Sequence, residues 1–133
     1  MKTAHLPWPA DAREAVALQR ELARRLILAG DIPNAELIAG ADCSSHANTG
    51  TMVGAVVVWS ASERAVVESR TAAVEAGFPY IPGLLAFREL PALLRAFGKL
   101  ESTPDAVICD GQGTAHMRNF GTVSYTHLTL PTN

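Results

Sequence analysis

Three carboxylates in this chain stand where apolar segments give way to polar ones. Asp42 lies at the polar end of the apolar stretch 37–45, and Asp110 follows Ala106-Val107-Ile108-Cys109 directly before Gly111-Gln112-Gly113. Glu89 precedes Leu90-Pro91, where the proline is expected to break a helix, and His116 lies six residues beyond Asp110. Carboxylates forced together repel unless one holds a proton or a cation sits between them. All-oxygen donors suit a hard cation, Mg²⁺ or Mn²⁺, whereas Zn²⁺ prefers His and Cys. One such ion, or two roughly 3.5–4 Å apart, can activate water and neutralise charge on a scissile phosphodiester. A nearby histidine could orient that water or protonate a leaving oxygen. The ordinary alternatives are that strand-end acids serve as polar caps and that a lone loop histidine is a surface or structural group.

The elements that must position these groups follow from pattern. Residues 11–28 read as an amphipathic helix with Ala15, Leu18, Leu22, Leu26 and Ala29 on one stripe, Glu21 and Arg25 as an i,i+4 pair, and Gly30 as the stop. Arg13, Arg20 and Arg24 share its other side, as a solvated face or as phosphate contacts. Residues 37–45, entered after Pro33, form a first strand. Residues 52–59 are apolar on both faces, which suits a central, fully covered strand, and 64–74 form a third. The short breaks between them predict hairpins.

Phe78-Pro79-Tyr80-Ile81-Pro82-Gly83 is a stiff loop, because two prolines fix φ and remove backbone donors. Taken alone, Tyr80 between prolines also fits a plain packed turn. Residues 84–89 predict a short helical turn. A longer helix then opens at Pro91 and runs to Leu100, with Leu93, Leu94, Phe97 and Leu100 on the core side. The strand 104–110, with Ala106-Val107-Ile108-Cys109 as its apolar run, completes the order β-β-β-α-β, the opening of a ribonuclease H-like α/β fold with a mixed sheet and flanking helices. A right-handed crossover lays the fourth strand parallel to the first. Asp42 and Asp110 then meet at the carboxyl end of the sheet, where open sheets commonly place their sites.

Bulk properties set limits. A chain of 133 residues supports one domain. Its 48% hydrophobic and 18% charged residues, with mean hydropathy +0.13, are globular values. The longest apolar run, 55–59, is far short of a membrane span, and the N-terminus lacks a signal-peptide pattern, so a cytoplasmic protein without a membrane partner is expected. Cys43 and Cys109 lack metal-ligand spacing; each should point to the strand face opposite its neighbouring aspartate, as a small buried hydrophobe. A net charge of −2 and a pI near 6.0 do not announce a nucleic-acid binder.

The strings Phe78-Pro79-Tyr80-Ile81-Pro82-Gly83-Leu84-Leu85-Ala86-Phe87-Arg88-Glu89, Asp110-Gly111-Gln112-Gly113-Thr114-Ala115-His116 and Ala39-Gly40-Ala41-Asp42 resemble, in order and spacing, the motifs of the endonuclease V family. The resemblance covers about residues 10–121. It implies a ribonuclease H-like nuclease of DNA repair that uses Mg²⁺, with Mn²⁺ as a substitute. Such an enzyme cuts DNA, or RNA, one nucleotide to the 3′ side of a deaminated base such as inosine. By motif position Asp42 and Asp110 would hold the metal, Glu89 would complete the acidic site, and His116 would assist. Pro79, Tyr80, Ile81 and Pro82 would form a wedge that replaces lost stacking while the base is flipped. Gly83, Leu85 and Gly111 would lie near the base. No protein partner is implied.

The likeness has limits. After His116 the family continues with proline, two basic residues and an Ala-Ser-His segment, where this chain has Met117, Arg118, Asn119 and Phe120. Beyond about Thr122 the likeness stops. Residues 1–121 thus read as an incomplete catalytic domain and 122–133 as a non-native tail. The family's further strand, helices and catalytic lysine are not in this sequence. A stability below that of a longer member, an uncovered apolar sheet face and weak or no nuclease activity are therefore expected. Two rivals stand beside a damage-directed nuclease. A non-cleaving inosine-recognition module would keep Tyr80 but has no use for crowded carboxylates, and a junction resolvase would leave the tyrosine loop unexplained.

Overall fold

Alternation along the strands decides which side of the sheet is buried. The computed structural model describes residues 1, 6–32 and 34–130; Pro33, most of the N-terminal segment read for a signal peptide and the last three residues of the expected tail lie outside them. In β2 (Thr51–Ser60), Met52, Val56 and Val58 turn to one side and are buried, whereas Val53, Val57 and Trp59 on the other remain 38–42% exposed. β2 lies between β1 (Leu37–Ser45) and β3 (Ala65–Glu75), antiparallel to both, and β4 (Ala106–Cys109) pairs parallel to β1. The sheet order is β3-β2-β1-β4, as the three hairpin strands and crossover require. β2 is central, but the expectation that both its faces are covered does not hold. α2 (Ala86–Gly98) covers one face, and among the described residues Val53, Val57, Trp59, Val66 and Ile108 stay exposed on the strands.

Two adjoining cores meet along α2. Leu93, Ala96 and Phe97 pack on Ala39, Ala41, Val56, Val58 and Ala72 of the sheet. Ala86, Phe87 and Leu90 pack with Phe78, Leu84, Phe120 and Tyr125, and with Ala15 and Leu22 of α1 (Ala12–Ala23). α1 starts where expected: the Asp11 side chain caps it by accepting from the Glu14 backbone N–H at 2.9 Å, and Glu14 accepts from that of Ala10, just before the cap, at 2.9 Å.

Its end departs from expectation. The helix closes at Ala23 through short-range bonds from the Arg24 N–H to Glu21 and from the Arg25 N–H to Leu22, not at Leu28. Ile27 and Leu28 face solvent, so no packing holds another turn. Arg25 lies past the helix and makes no ion pair with Glu21 among the described residues.

α2 also departs from expectation, because it runs unbroken through Pro91. Proline there forfeits one hydrogen bond to the Phe87 carbonyl. Burial of Phe87, Leu90, Ala92, Leu93, Ala96 and Phe97 along one stripe outweighs that loss. Glu89 consequently sits in the first turn of a continuous helix, not at a break. Residues 122–129, read from sequence as the start of a tail, form α3 (Thr122–Thr129). Its Tyr125 is buried against Phe87, Phe120 and Trp8 in edge-on contacts.

α2 approaches the sheet over Gly54. A Cβ there would stand 2.6 Å from the Ala92 carbonyl carbon, a backbone atom that cannot swing aside. Gly54→Val is expected to destabilise by about 1–3 kcal/mol or more through overpacking, whereas Gly77→Ala, with open space around it, should be near neutral. Urea or thermal unfolding of both variants checks the contrast.

Candidate active site

The parallel ladder of β1 and β4 continues one step past the end of β4. Ala41 pairs with Cys109, and the Asp110 N–H donates to the Ala41 carbonyl at 3.1 Å. Asp42 and Asp110 therefore stand side by side at the carboxyl end of the sheet, both exposed. Cys43 and Cys109 turn to the opposite, α2-covered side, as expected, but are only partly buried there. Burial, aided by Glu89 and Asp42, pushes the Cys43 thiol up to about 11, and burial also raises that of Cys109. Neither thiol is a nucleophile at neutral pH.

Glu89 reaches the same place from the first turn of α2. All three acids line one cavity of about 240 Å³. This is below the ~300–1,000 Å³ of sites for drug-sized ligands, so it suits a smaller group. Glu89 is half-buried, and its Oε2 accepts from the Thr122 hydroxyl at 3.2 Å. Burial raises its pKa, Thr122 opposes that, and the charges of Asp42 and Asp110 raise it further. Asp42 Oδ1 accepts from the Cys43 backbone N–H at 2.7 Å.

Among the described residues no three His, Cys, Asp or Glu side chains converge tightly enough to enclose a metal ion by themselves. The donor set nevertheless fits a hydrated hard cation. It offers oxygen only, from two adjacent exposed carboxylates, and Mg²⁺ typically keeps several waters and takes one or two carboxylates. The like charges that raise the Glu89 pKa are those a cation would relieve.

The proline loop meets the cavity at Gly83. Phe78 is buried against Phe87, its carbonyl accepts from Arg88 at 3.0 Å, and Tyr80 is 69% exposed at the tip. Gly83 has φ +80°, a conformation that L side chains rarely adopt. Gly83, Leu85 and Gly111 line the cavity; Pro79, Tyr80, Ile81 and Pro82 stand outside its lining.

His116 is buried, and both ring nitrogens are engaged. The Arg118 backbone N–H donates to Nδ1 at 3.1 Å, so that nitrogen is unprotonated, and Nε2–H is left to donate to the Gly83 carbonyl at 3.0 Å. In this arrangement the imidazole braces the loop and has no nitrogen free to exchange a proton at the acids. Sequence reading missed Gln19, Arg118 and Thr122, which also reach this site. A signal existed for Gln19: it lies four residues from Ala15 and three from Leu22, a polar residue on an otherwise apolar stripe.

The sequence model of the endonuclease V family matches residues 20–133. The chain belongs to the endonuclease V family. Over 123 residues it is 44% identical to the endonuclease V of Dehalococcoides mccartyi, an alignment covering 92% of this chain and 55% of that protein. Among solved structures, the endonuclease V of Streptomyces avermitilis superposes with a TM-score of 0.86 at 41% identity, covering 91% of this chain and 54% of that one. The endonuclease V of Ciona intestinalis, solved with a 24mer DNA containing an inosine followed by a ribo-adenosine, superposes at TM-score 0.77 and 26% identity, covering 87% and 52%. The fold is thus the ribonuclease H-like α/β fold of endonuclease V, and the chain spans just over half the length of these relatives.

The raised Glu89 pKa has a consequence for stability. The folded state binds this proton more tightly than the unfolded chain, so the group's stabilising contribution is present at acid pH and lost as pH rises through the folded pKa. Glu89→Gln is expected to raise the melting temperature at pH 7. The gain should shrink as pH falls toward 4, in thermal melts recorded without divalent metal.

Proposed function

We propose that this chain carries the damage-recognition and acidic part of a metal-dependent endonuclease that hydrolyses a phosphodiester bond on the 3′ side of deaminated bases, inosine above all, in DNA. The observation that carries this reading is the convergence of Asp42, Asp110 and Glu89 on one cavity that the proline loop meets at Gly83, with Tyr80 exposed on the same loop. The DNA in the Ciona intestinalis relative supports the substrate class. RNA holding the same base is the alternative substrate.

A hard divalent cation, Mg²⁺ or Mn²⁺, would when bound supply an activated water and neutralise charge on the scissile phosphate. Asp42 and Asp110 would hold it from adjacent strands. Glu89, restrained by Thr122, would help place the water. Tyr80 would enter the gap left by the extruded base, and the backbone around Gly83 and Gly111, with Leu85, would meet that base. His116 acts through the loop, by fixing the Gly83 carbonyl.

A second reading is recognition without cleavage. It is favoured by the lack, among the described residues, of three ligands close enough to enclose a metal. Incubation with Mg²⁺ and a duplex holding one deoxyinosine, beside an undamaged duplex and an inosine-containing RNA, separates the two. A single nick 3′ to inosine that Asp42→Ala and Asp110→Ala abolish establishes the nuclease; inosine-dependent binding without a nick establishes the recognition module.

Tyr80→Ala tests the wedge. Stacking of a base on an aromatic ring is worth about 1–3 kcal/mol, so inosine-dependent binding should weaken roughly ten- to a hundredfold. Tyr80→Phe should retain most of it in the same titration. Equal affinity of Tyr80→Ala and the parent chain would remove Tyr80 from the recognition machinery.

A further inference from the structure

The Gly83 carbonyl accepts from three side chains at once: Gln19 Nε2 at 3.0 Å, His116 Nε2 at 3.0 Å and the Arg118 guanidinium at 2.7 Å. A carbonyl oxygen has two lone pairs, so three donors crowd this acceptor and share them, and one donor is charged, which strengthens its bond. The donors come from α1 and from the turn after β4, far from the loop in sequence.

Gln19 is fully buried, where an unpaired amide is costly. Both of its amide N–H groups and one lone pair of its oxygen are used. Nε2 donates to the carbonyls of Gly83 and of Phe120, at 3.0 and 3.1 Å, while Oε1 accepts from Arg118 Nε at 2.5 Å. Arg118 thereby holds Gln19 and Gly83 together. The loop has little of its own to fix it, since Pro79 and Pro82 lack N–H groups and its internal backbone bond runs from the Leu84 N–H to Ile81. Tyr80 stands three residues from the clamped carbonyl, on the same stiff segment.

We propose that Gln19 and Arg118 are positioning residues for base selection: by clamping the Gly83 carbonyl they hold the 79–83 loop at a fixed height over the cavity, so that Tyr80 and the cavity wall act together on one extruded base. The inference rests on the proposed recognition of deaminated bases. It adds residues from α1 and the turn after β4, neither of which faces the acids as a ligand or a base. Loss of the clamp leaves the carboxylates and the wedge side chain present but lets the loop move relative to the cavity, so discrimination fails before general binding does.

The test uses the full chain with Gln19→Met, which keeps the volume and removes the amide, and Arg118→Met and Arg118→Lys. Hydrogen exchange of the segment 80–85 is read by mass spectrometry. The ratio of affinities for a single-inosine duplex and an undamaged duplex is read by titration. Gln19→Met should speed exchange of that segment by about tenfold, the loss of one or two hydrogen bonds, with the β1 and β2 amides unchanged. The affinity ratio should fall by a similar factor while binding of the undamaged duplex holds. Arg118→Lys should keep part of the ratio that Arg118→Met loses, because one ammonium can serve one of the two acceptors.

Unchanged exchange in both Gln19→Met and Arg118→Met overturns the clamp. Faster exchange with an intact ratio overturns its role in selection. If the parent chain itself does not prefer the inosine duplex, the recognition reading fails and the selection proposal with it, and the exchange data then show only how the loop is held. Should Gln19→Met unfold, the Arg118 pair decides the outcome, since Arg118 is only partly buried.

Discussion

Parallel pairing of the four-residue strand β4 with β1 is the constraint on which the site depends. That ladder places Asp110 beside Asp42, extended by the bond from the Asp110 N–H to Ala41. It can exist only because the crossover through α2 lays β4 down in the direction of β1, and α2 can lie there only because Gly54 presents no side chain to Ala92. Once the helix is seated, its first turn delivers Glu89 to the two aspartates. The geometry of the acids thus follows from one close helix–sheet contact and one short parallel pairing.

The arrangement is electrostatically unfavourable without a counter-charge: burial raises the Glu89 pKa most, and the charges of Asp42 and Asp110 add to it. Asp42 and Glu89 each accept one hydrogen bond, but among the described residues none of the three acids has a cationic partner: the ion pairs there, Arg70 with Glu68 and with Glu101, lie elsewhere on the molecule. Concentrated like charge beside a cavity is what a site adapted to a cation and a phosphate would show. The proline loop shows the complementary property: rather than floating free, it is fixed through Phe78, Arg88, His116, Gln19 and Arg118.

How much was legible in the sequence depended on how local the signal was. The three hairpin strands, the stiff loop and the strand-end aspartates were readable, because alternation, paired prolines and a carboxylate after an apolar run are each expressed within about ten residues. Pro91 misled because proline is a local breaker, while the burial that overrides it comes from contacts across α2. α1 was read too long because Ile27 and Leu28 continue the apolar pattern where nothing packs on them. α3 carries no apolar stripe, and its buried Thr126 and Thr129 hydroxyls turn back onto backbone carbonyls of the same helix. The role of His116 was open because the groups that engage its two nitrogens, Gly83 and Arg118, come from a loop and a turn that only the fold brings together.

The sheet's open face also gives the molecule two separate optical reporters. Its two tryptophans are similarly exposed, at 42% and 38%, but have different neighbours: Trp8 packs edge-on against Phe87 and Tyr125, whereas Trp59 stands on the uncovered side of β2. Indole emission moves to shorter wavelength as water is displaced. Anything that settles on the open side would therefore shift the Trp59 component while leaving that of Trp8 in place, and loosening of the aromatic cluster would do the reverse.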